Sequence, residues 1–345
     1  MSPRRFLTDS DRYPWRPLKV IAIAVAVLLT AVCGGGGWTP RTPRLPPPPP
    51  PDLSVSIPAS PYVLSPDGVR VASFRSLSSI LIYDWQAKSH PLILEDQNCP
   101  IGTTITRFSP DGRLVAHMCL NTGIIVWETT DGKRVFTAPC SFSNLSTIMA
   151  WSHDGRRLAT SCNRQIDVWE IFTGKKVSYF QQTEKSGRIT GLAFTRSGEI
   201  YSSDSTGWVR LWSATGESLR AITFNSTVLG LLLSPDEKEL AVIQKNPDVA
   251  GIGDEVVLWD SVTGLKRRLK AVNADLPELV TFSPDGKLLV LRIGEGRVSV
   301  FSTVSNQYVA TLGDADRVRD VVFRRDGTIV AIVGRQVRTW RCCGR

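Results

Sequence analysis

Residues 108–136 read FSPDGRLVAHMCLNTGIIVWETTDGKRVF, a string in which short β-rich runs alternate with turn formers. Ser109-Pro110-Asp111-Gly112 has the chemistry of a type I turn: Pro pre-sets φ at its second place, a small polar residue opens it and Gly accepts its exit. Leu114 to Met118 and Ile124 to Trp127 are β-rich, and Asn121-Thr122-Gly123 between them predicts a hairpin connection. A hairpin set of this size cannot bury its own apolar faces, so the stretch demands partners built the same way.

The partners are in the sequence. Aligned on the turn, SPDG at Ser65, SPDG at Ser109, SHDG at Ser152, TRSG at Thr195, SPDE at Ser234, SPDG at Ser283 and RRDG at Arg324 mark seven units spaced 44, 43, 43, 39, 49 and 41 residues apart. Each unit ends on an aromatic residue followed by a small or charged one: Tyr83-Asp84, Trp127-Glu128, Trp169-Glu170, Trp212-Ser213, Trp259-Asp260, Phe301-Ser302 and Trp340-Arg341. Over about residues 53 to 345 the chain resembles the WD40-repeat family, whose blades recur every ~40 to 45 residues with a Trp-Asp-like ending. TolB-like propellers share the SPDG turn, but endings such as Trp259-Asp260-Ser261-Val262-Thr263-Gly264 favour WD40. No Gly-His dipeptide occurs, so the His network of many WD40 blades is missing and each blade leans more on apolar packing.

Leu53-Ser54-Val55-Ser56-Ile57 alternates like a strand but has no hairpin partner, while the last repeat stops after its third strand, at 340–345. An open ring exposes strand edges that closure removes. The expected fold class is therefore all-β: a seven-bladed WD40-type propeller closed by an N-terminal strand at 53–57, preceded by a hydrophobic helix and a Pro-rich linker. The expected division is a basic segment 1–19, an apolar segment 20–38, a linker 39–52 and the propeller 53–345.

Residues 20–33, VIAIAVAVLLTAVC, are uncharged, and extension to Trp38 gives 19 residues, close to the minimum for spanning a bilayer. Arg4, Arg5, Arg12, Arg16 and Lys19 precede this segment against Arg41 and Arg44 after it, which places the N-terminus in the cytoplasm and the propeller outside. Three fates share that orientation: a retained signal anchor, a cleaved signal peptide, and a lipoprotein modified at Cys33. The run Pro46 to Pro51 lacks amide donors and favours an extended spacer of about 3.1 Å per residue.

The net charge of +9 is uneven: residues 1–52 carry +4, residues 317–345 carry +6, and the blades between them −1. A ring-wide nucleic-acid surface does not follow; a basic sector on the last blade does. His90, His117 and His153 fall at three different places in the repeat, and no P-loop, GxSxG, HExxH or CxxC pattern is present, so no catalytic residues, metal or cofactor are assigned. Cys119 and Cys162 occupy equivalent second-strand positions and read as small buried apolar residues. Cys99 and Cys140 lie in successive loops on one face and form a candidate disulfide if the propeller is exported.

Partner binding is expected on the face opposite the SPDG turns, where the variable connections lie: 96–102, 181–188 and 244–255. Its candidate residues are Arg188, Trp208, Lys245, Asp248, Arg317 and Arg319, with Trp208 standing where WD40 blades usually carry a small residue. The expected function is a monomeric, membrane-tethered, non-catalytic scaffold for a protein partner. An extracytoplasmic propeller enzyme and an anionic-ligand-binding propeller are the alternatives. The enzyme requires polar residues from several blades meeting at the channel, and the anion binder requires strongly salt-dependent binding.

Overall fold

The computed structural model describes residues 53–56 and 62–341, apart from 77–78, 88–89, 97–104, 120–122, 140–147, 163–164, 182–186, 246–253, 270–277, 294–296 and 313–317. Among the described residues the chain forms seven four-stranded antiparallel sheets and no α-helix. The second blade shows the plan: Thr106–Phe108, Leu114–Cys119, Gly123–Glu128 and Arg134–Ala138 pair in that order from the axis outward. Blades 1 and 3 to 6 repeat it over 62–95, 149–181, 189–223, 228–268 and 278–312. Blade 7 takes three strands from 318–341, and Leu53–Ser56 pairs with the last of them, from Leu53↔Thr339 to Ser56↔Gln336. The segments 1–19, 20–38 and 39–52 lie outside the described residues, within which no helix is long and apolar enough to cross a membrane.

The apolar core lies between blades. Side chains alternate along a strand, so a blade presents two apolar faces. In Leu114–Cys119, Leu114, Ala116 and Met118 pack with Met149, Leu158 and Trp169 of blade 3. Val115 and Cys119 pack the other way, with Ala72, Ile80 and Ile82 of blade 1. The same sharing recurs around the ring, including the seam between the two ends of the repeat array, where Leu64, Val71 and Trp85 meet Val330, Ile332 and Val337. That seam is also tied by polar groups: Leu64 N donates to Asp320 Oδ2 at 2.7 Å, and Arg324 donates to the carbonyls of Asp67 and Gly68 at 3.1 and 3.0 Å.

Two of the repeat tryptophans find hydroxyls within their own blade. Trp212 Nε1 donates to Ser202 Oγ at 2.8 Å and Trp169 Nε1 to Thr160 Oγ1 at 3.3 Å. Each satisfies an indole N–H that burial would otherwise leave unpaired.

The SPDG turns are small hydrogen-bonded units. In blade 2, Ser109 Oγ donates to Asp111 Oδ1 at 2.6 Å, Arg113 N donates to the same oxygen at 3.0 Å, and Leu114 N donates to Ser109 Oγ at 2.9 Å. Blades 1, 3, 5 and 6 repeat the Ser-to-Asp bond. The Ser hydroxyl bond holds Asp154, Asp236 and Asp285 below their ordinary carboxylate value. The turn Gly sits at positive φ, as at Gly112 (70°) and Gly286 (72°), a region that costs an L-residue about 1–2 kcal/mol.

Blade 5 breaks that rule with Glu237 at φ 63°. Its neighbour supplies the reason. Blade 4 has Arg196 where the SPDG turns have Pro, so an amide N–H is present there, and it donates to Glu237 Oε1 at 2.5 Å. Two departures from the repeat thus compensate each other across a seam. A double-mutant cycle of Glu237→Gly and Arg196→Pro, read by urea unfolding, should give a coupling energy on the order of 1 kcal/mol; additivity within error would show that the two changes are independent.

Candidate functional site

The connections from one blade to the next and the hairpins joining second to third strands share the face opposite the SPDG turns. Its best-defined corner is in blade 4. Asp204 is fully buried at the end of Ile200–Asp204 and organises the turn beyond it. Its Oδ1 accepts from Thr206 N at 2.9 Å and Thr206 Oγ1 at 2.5 Å, and its Oδ2 accepts from Arg210 Nη1 at 2.7 Å. Arg210 then lies over the Trp208 ring, 5.0 Å from its centre, and Trp208 is half-buried. Arg188 joins the same corner, with Arg188 N donating to Ser205 Oγ at 3.1 Å and Ser205 N donating to the Arg188 carbonyl at 2.9 Å. The side chain of Arg188 is exposed. Arg188, leading into Ile189–Phe194, is thus tied by its backbone to the turn that carries Trp208.

The connection of blade 5 is shorter than the sequence implies. Gln244 and Lys245 belong to Glu239–Lys245, and Asp254 and Glu255 to Asp254–Asp260, paired Gln244↔Glu255 and Lys245↔Asp254. The Gln244 amide hydrogen-bonds Glu255 across the strands, and Glu255 also meets Arg268 at 3.4 Å. These contacts extend the ladder into what reads as a polar loop. Lys245 is exposed, and Asp254 is buried, which pushes its carboxyl up against the opposing pull of Lys245. Asp248 and Arg317 lie outside the described residues, as do Cys99 and Cys140.

Arg319 is exposed on the innermost strand of blade 7, Val318–Phe323, at a register shift between Val318 and Asp320. The same shift occurs at Ile189/Gly191, Val228/Gly230 and Leu279/Thr281. Blades 4 to 7 thus each carry an extra inner residue, a bulge that bends the strand and re-aims a side chain. At the first of these, Gly191 is required by close approach: a Cβ there would lie 2.8 Å from Leu231 of blade 5. The chemistry of the bulged residues differs, Thr190, Leu229 and Arg319 among them, so the backbone feature leaves no residue pattern to read.

The histidines are dispersed. His90 and His153 are exposed, whereas His117 is buried in blade 2 with Nδ1 2.8 Å from Thr106 Oγ1. Among the described residues no cluster of His, Cys, Asp or Glu could hold a metal ion. Cys119 requires a correction: it is buried against blade 1, but it is disulfide-bonded and so is not simply a packing residue. Residue type and period fix its burial; covalent pairing depends on geometry that strand register alone does not supply.

Seven four-stranded blades with shared cores define a seven-bladed β-propeller, and their periodic Trp endings resemble those of WD40 repeats. The chain matches no family model. It is 25% identical over 215 residues to periodic tryptophan protein 2 of Saccharomyces cerevisiae, covering 48% of this chain and 23% of that protein. To the protein of the same name in Arabidopsis thaliana it is 22% identical over 242 residues, covering 68% of this chain and 26% of the relative. The match thus spans about a quarter of the length of these curated relatives. A chain from the crystal structure of a mitotic checkpoint complex superposes with a TM-score of 0.67 at 16% identity, over 92% of this chain and 99% of that one, a likeness of fold.

His117 gives the blade a measurable pH response. Burial lowers its pKa from 6.5 to about 4, so between those values the unfolded chain binds the proton that the folded chain refuses. The stability tied to neutral His117 is complete above pH 6.5 and is lost as pH falls towards 4, by on the order of 3 kcal/mol for a shift of that size. Urea unfolding of the native chain and of His117→Gln should show a steeper loss for the native chain over this window; parallel curves would contradict the assignment.

Proposed function

We propose that this propeller is a non-catalytic scaffold that docks a protein partner on the face carrying Arg188 and Trp208. Arg319 extends that surface towards the axis, Lys245 lies on it, and Asp248 and Arg317, outside the described residues, are assigned to it from the sequence. The observation that carries the reading is the corner of blade 4, where buried Asp204 fixes Arg210, Arg210 stacks on Trp208, and exposed Arg188 is hydrogen-bonded to the same turn. A large aromatic ring and a cation held on a rigid turn suit an interface anchor. The reading takes the scaffold as a monomer that needs no cofactor or nucleic acid.

The tether belongs to the same proposal. Residues 20–38 are read as a membrane anchor, 39–52 as a spacer, and 53–345 as a propeller outside the cytoplasm, with Leu53–Ser56 latching the ring through blade 7. The positive charge ahead of residue 20 supports the orientation, and a disulfide at Cys119 suits an oxidising compartment.

One preparation tests both halves. Full-length chain should stay with the membrane after carbonate extraction, and affinity capture from detergent extracts should bring down a protein partner. Arg188→Ala with Trp208→Ala should weaken that capture by roughly thirtyfold, the loss of about 2 kcal/mol typical of an anchor, without unfolding the ring. Release by carbonate would contradict the tether, and undiminished capture by the double variant would contradict the face.

A further inference from the structure

Arginines from three blades approach one another around the axis. Arg107 is exposed on the innermost strand of blade 2, Thr106–Phe108, with Nη1 donating to the Thr106 carbonyl at 3.0 Å. Arg319 is exposed on the bulge of blade 7. Arg292, half-buried on Leu288–Ile293 of blade 6, gives its Nη1 to the Arg319 carbonyl at 2.7 Å. Beside them Asp320 is partly buried and already engaged: its Oδ2 accepts from Leu64 N at 2.7 Å and its Oδ1 from Val321 N at 2.9 Å.

The groups lie close enough to feel one another's charge. Burial lowers the Arg292 pKa; Asp320 opposes that effect, whereas Arg319 and Arg107 reinforce it. Burial pushes the Asp320 carboxyl up, against the Leu64 amide, Arg107, the Val321 amide and Arg292. Among the described residues no carboxylate lies within ion-pair distance of Arg107 or Arg319. Among the described residues the sector therefore holds cations in excess of the Asp320 carboxylate, with Arg107 and Arg319 open to solvent.

We propose that the axial channel between blades 2, 6 and 7 receives an acidic segment of the partner protein, its carboxylates meeting Arg107 and Arg319. The inference rests on the scaffold reading and names the chemistry of the partner. A chain fits better than a free anion. An exposed charge pair is worth at most about 1 kcal/mol, too little to hold a small hydrated ion. The innermost strands place Trp151, Leu232 and Val322 against the inter-blade cores with part of each side chain still accessible, so a bound segment meets more than the two charges. Trp151 is fixed next to the charge, its Nε1 donating to the Arg107 carbonyl at 3.2 Å. Bidentate guanidinium geometry suits carboxylate oxygens, and the excess charge draws an acidic chain towards the opening.

The test uses full-length chain in detergent micelles and fluorescein-labelled hexaglutamate, read by fluorescence anisotropy. Hexaglutamate should bind and weaken as salt rises; Arg107→Glu with Arg319→Glu should lower its affinity at least tenfold and Arg319→Ala alone should lower it measurably. Arg113→Glu, an exposed change on the SPDG face, should leave it unaltered. Binding by the double Glu variant within twofold of the native chain would overturn the proposal, as would displacement of the peptide by equimolar inorganic phosphate. A captured partner whose binding needs Arg188 and Trp208 but is indifferent to the double Glu variant would remove the channel site and leave the scaffold reading standing.

Discussion

No blade of this ring has a core of its own. A four-stranded sheet buries two apolar faces only by standing between two neighbours, and the side chains show it: every residue of Leu114–Cys119 is buried, with Leu114, Ala116 and Met118 towards one blade and Val115 and Cys119 towards the other. Burial of a large aliphatic side chain is worth about 1.5–3 kcal/mol, so an unpaired face would forfeit several such increments at once. The array must therefore come back on itself. The seam where blade 7 meets blade 1 accordingly carries the same kind of apolar cluster as the others, reinforced by Asp320 and by Arg324, which also lies over Trp85.

A ring held in this way separates structure from recognition. The SPDG face repeats one hydrogen-bonded turn, and its departures, Arg196 and Glu237, compensate each other. The opposite face is irregular, with the Asp204 corner, the hairpin of blade 5 and four successive inner bulges. Buried shared strands make the irregular features rigid, which is what a docking surface needs in order to bind without a large ordering cost.

Much of this was legible in the sequence because it is periodic. Turn chemistry at Ser65, Ser109, Ser152 and Ser283, and the aromatic that closes each unit, fix blade number and strand order. What escaped is what periodicity does not encode. Thr190, Leu229 and Arg319 share a backbone position and no chemistry. Gln244 and Glu255 read as the two ends of a long variable connection, yet they bond across two strands. Nothing in the repeat pattern singles out Asp204, whose role depends on Arg210, six places on, bonding back to it. Arg292 and Asp320 sit on consecutive blades, and ring closure brings Arg107 of blade 2 to them. Cys119 has the position of a packing residue and the chemistry of a crosslink.

The central claim is that the shared cores make the ring one cooperative unit. Scanning calorimetry tests it most directly, comparing the full chain with one beginning at Val63, which lacks the strand paired to Gln336–Thr339. The account predicts one transition for the full chain, with calorimetric and van't Hoff enthalpies equal, and loss of that transition or aggregation for the shortened chain. Blades that melt in separate steps, or two chains with the same midpoint and enthalpy, would contradict it.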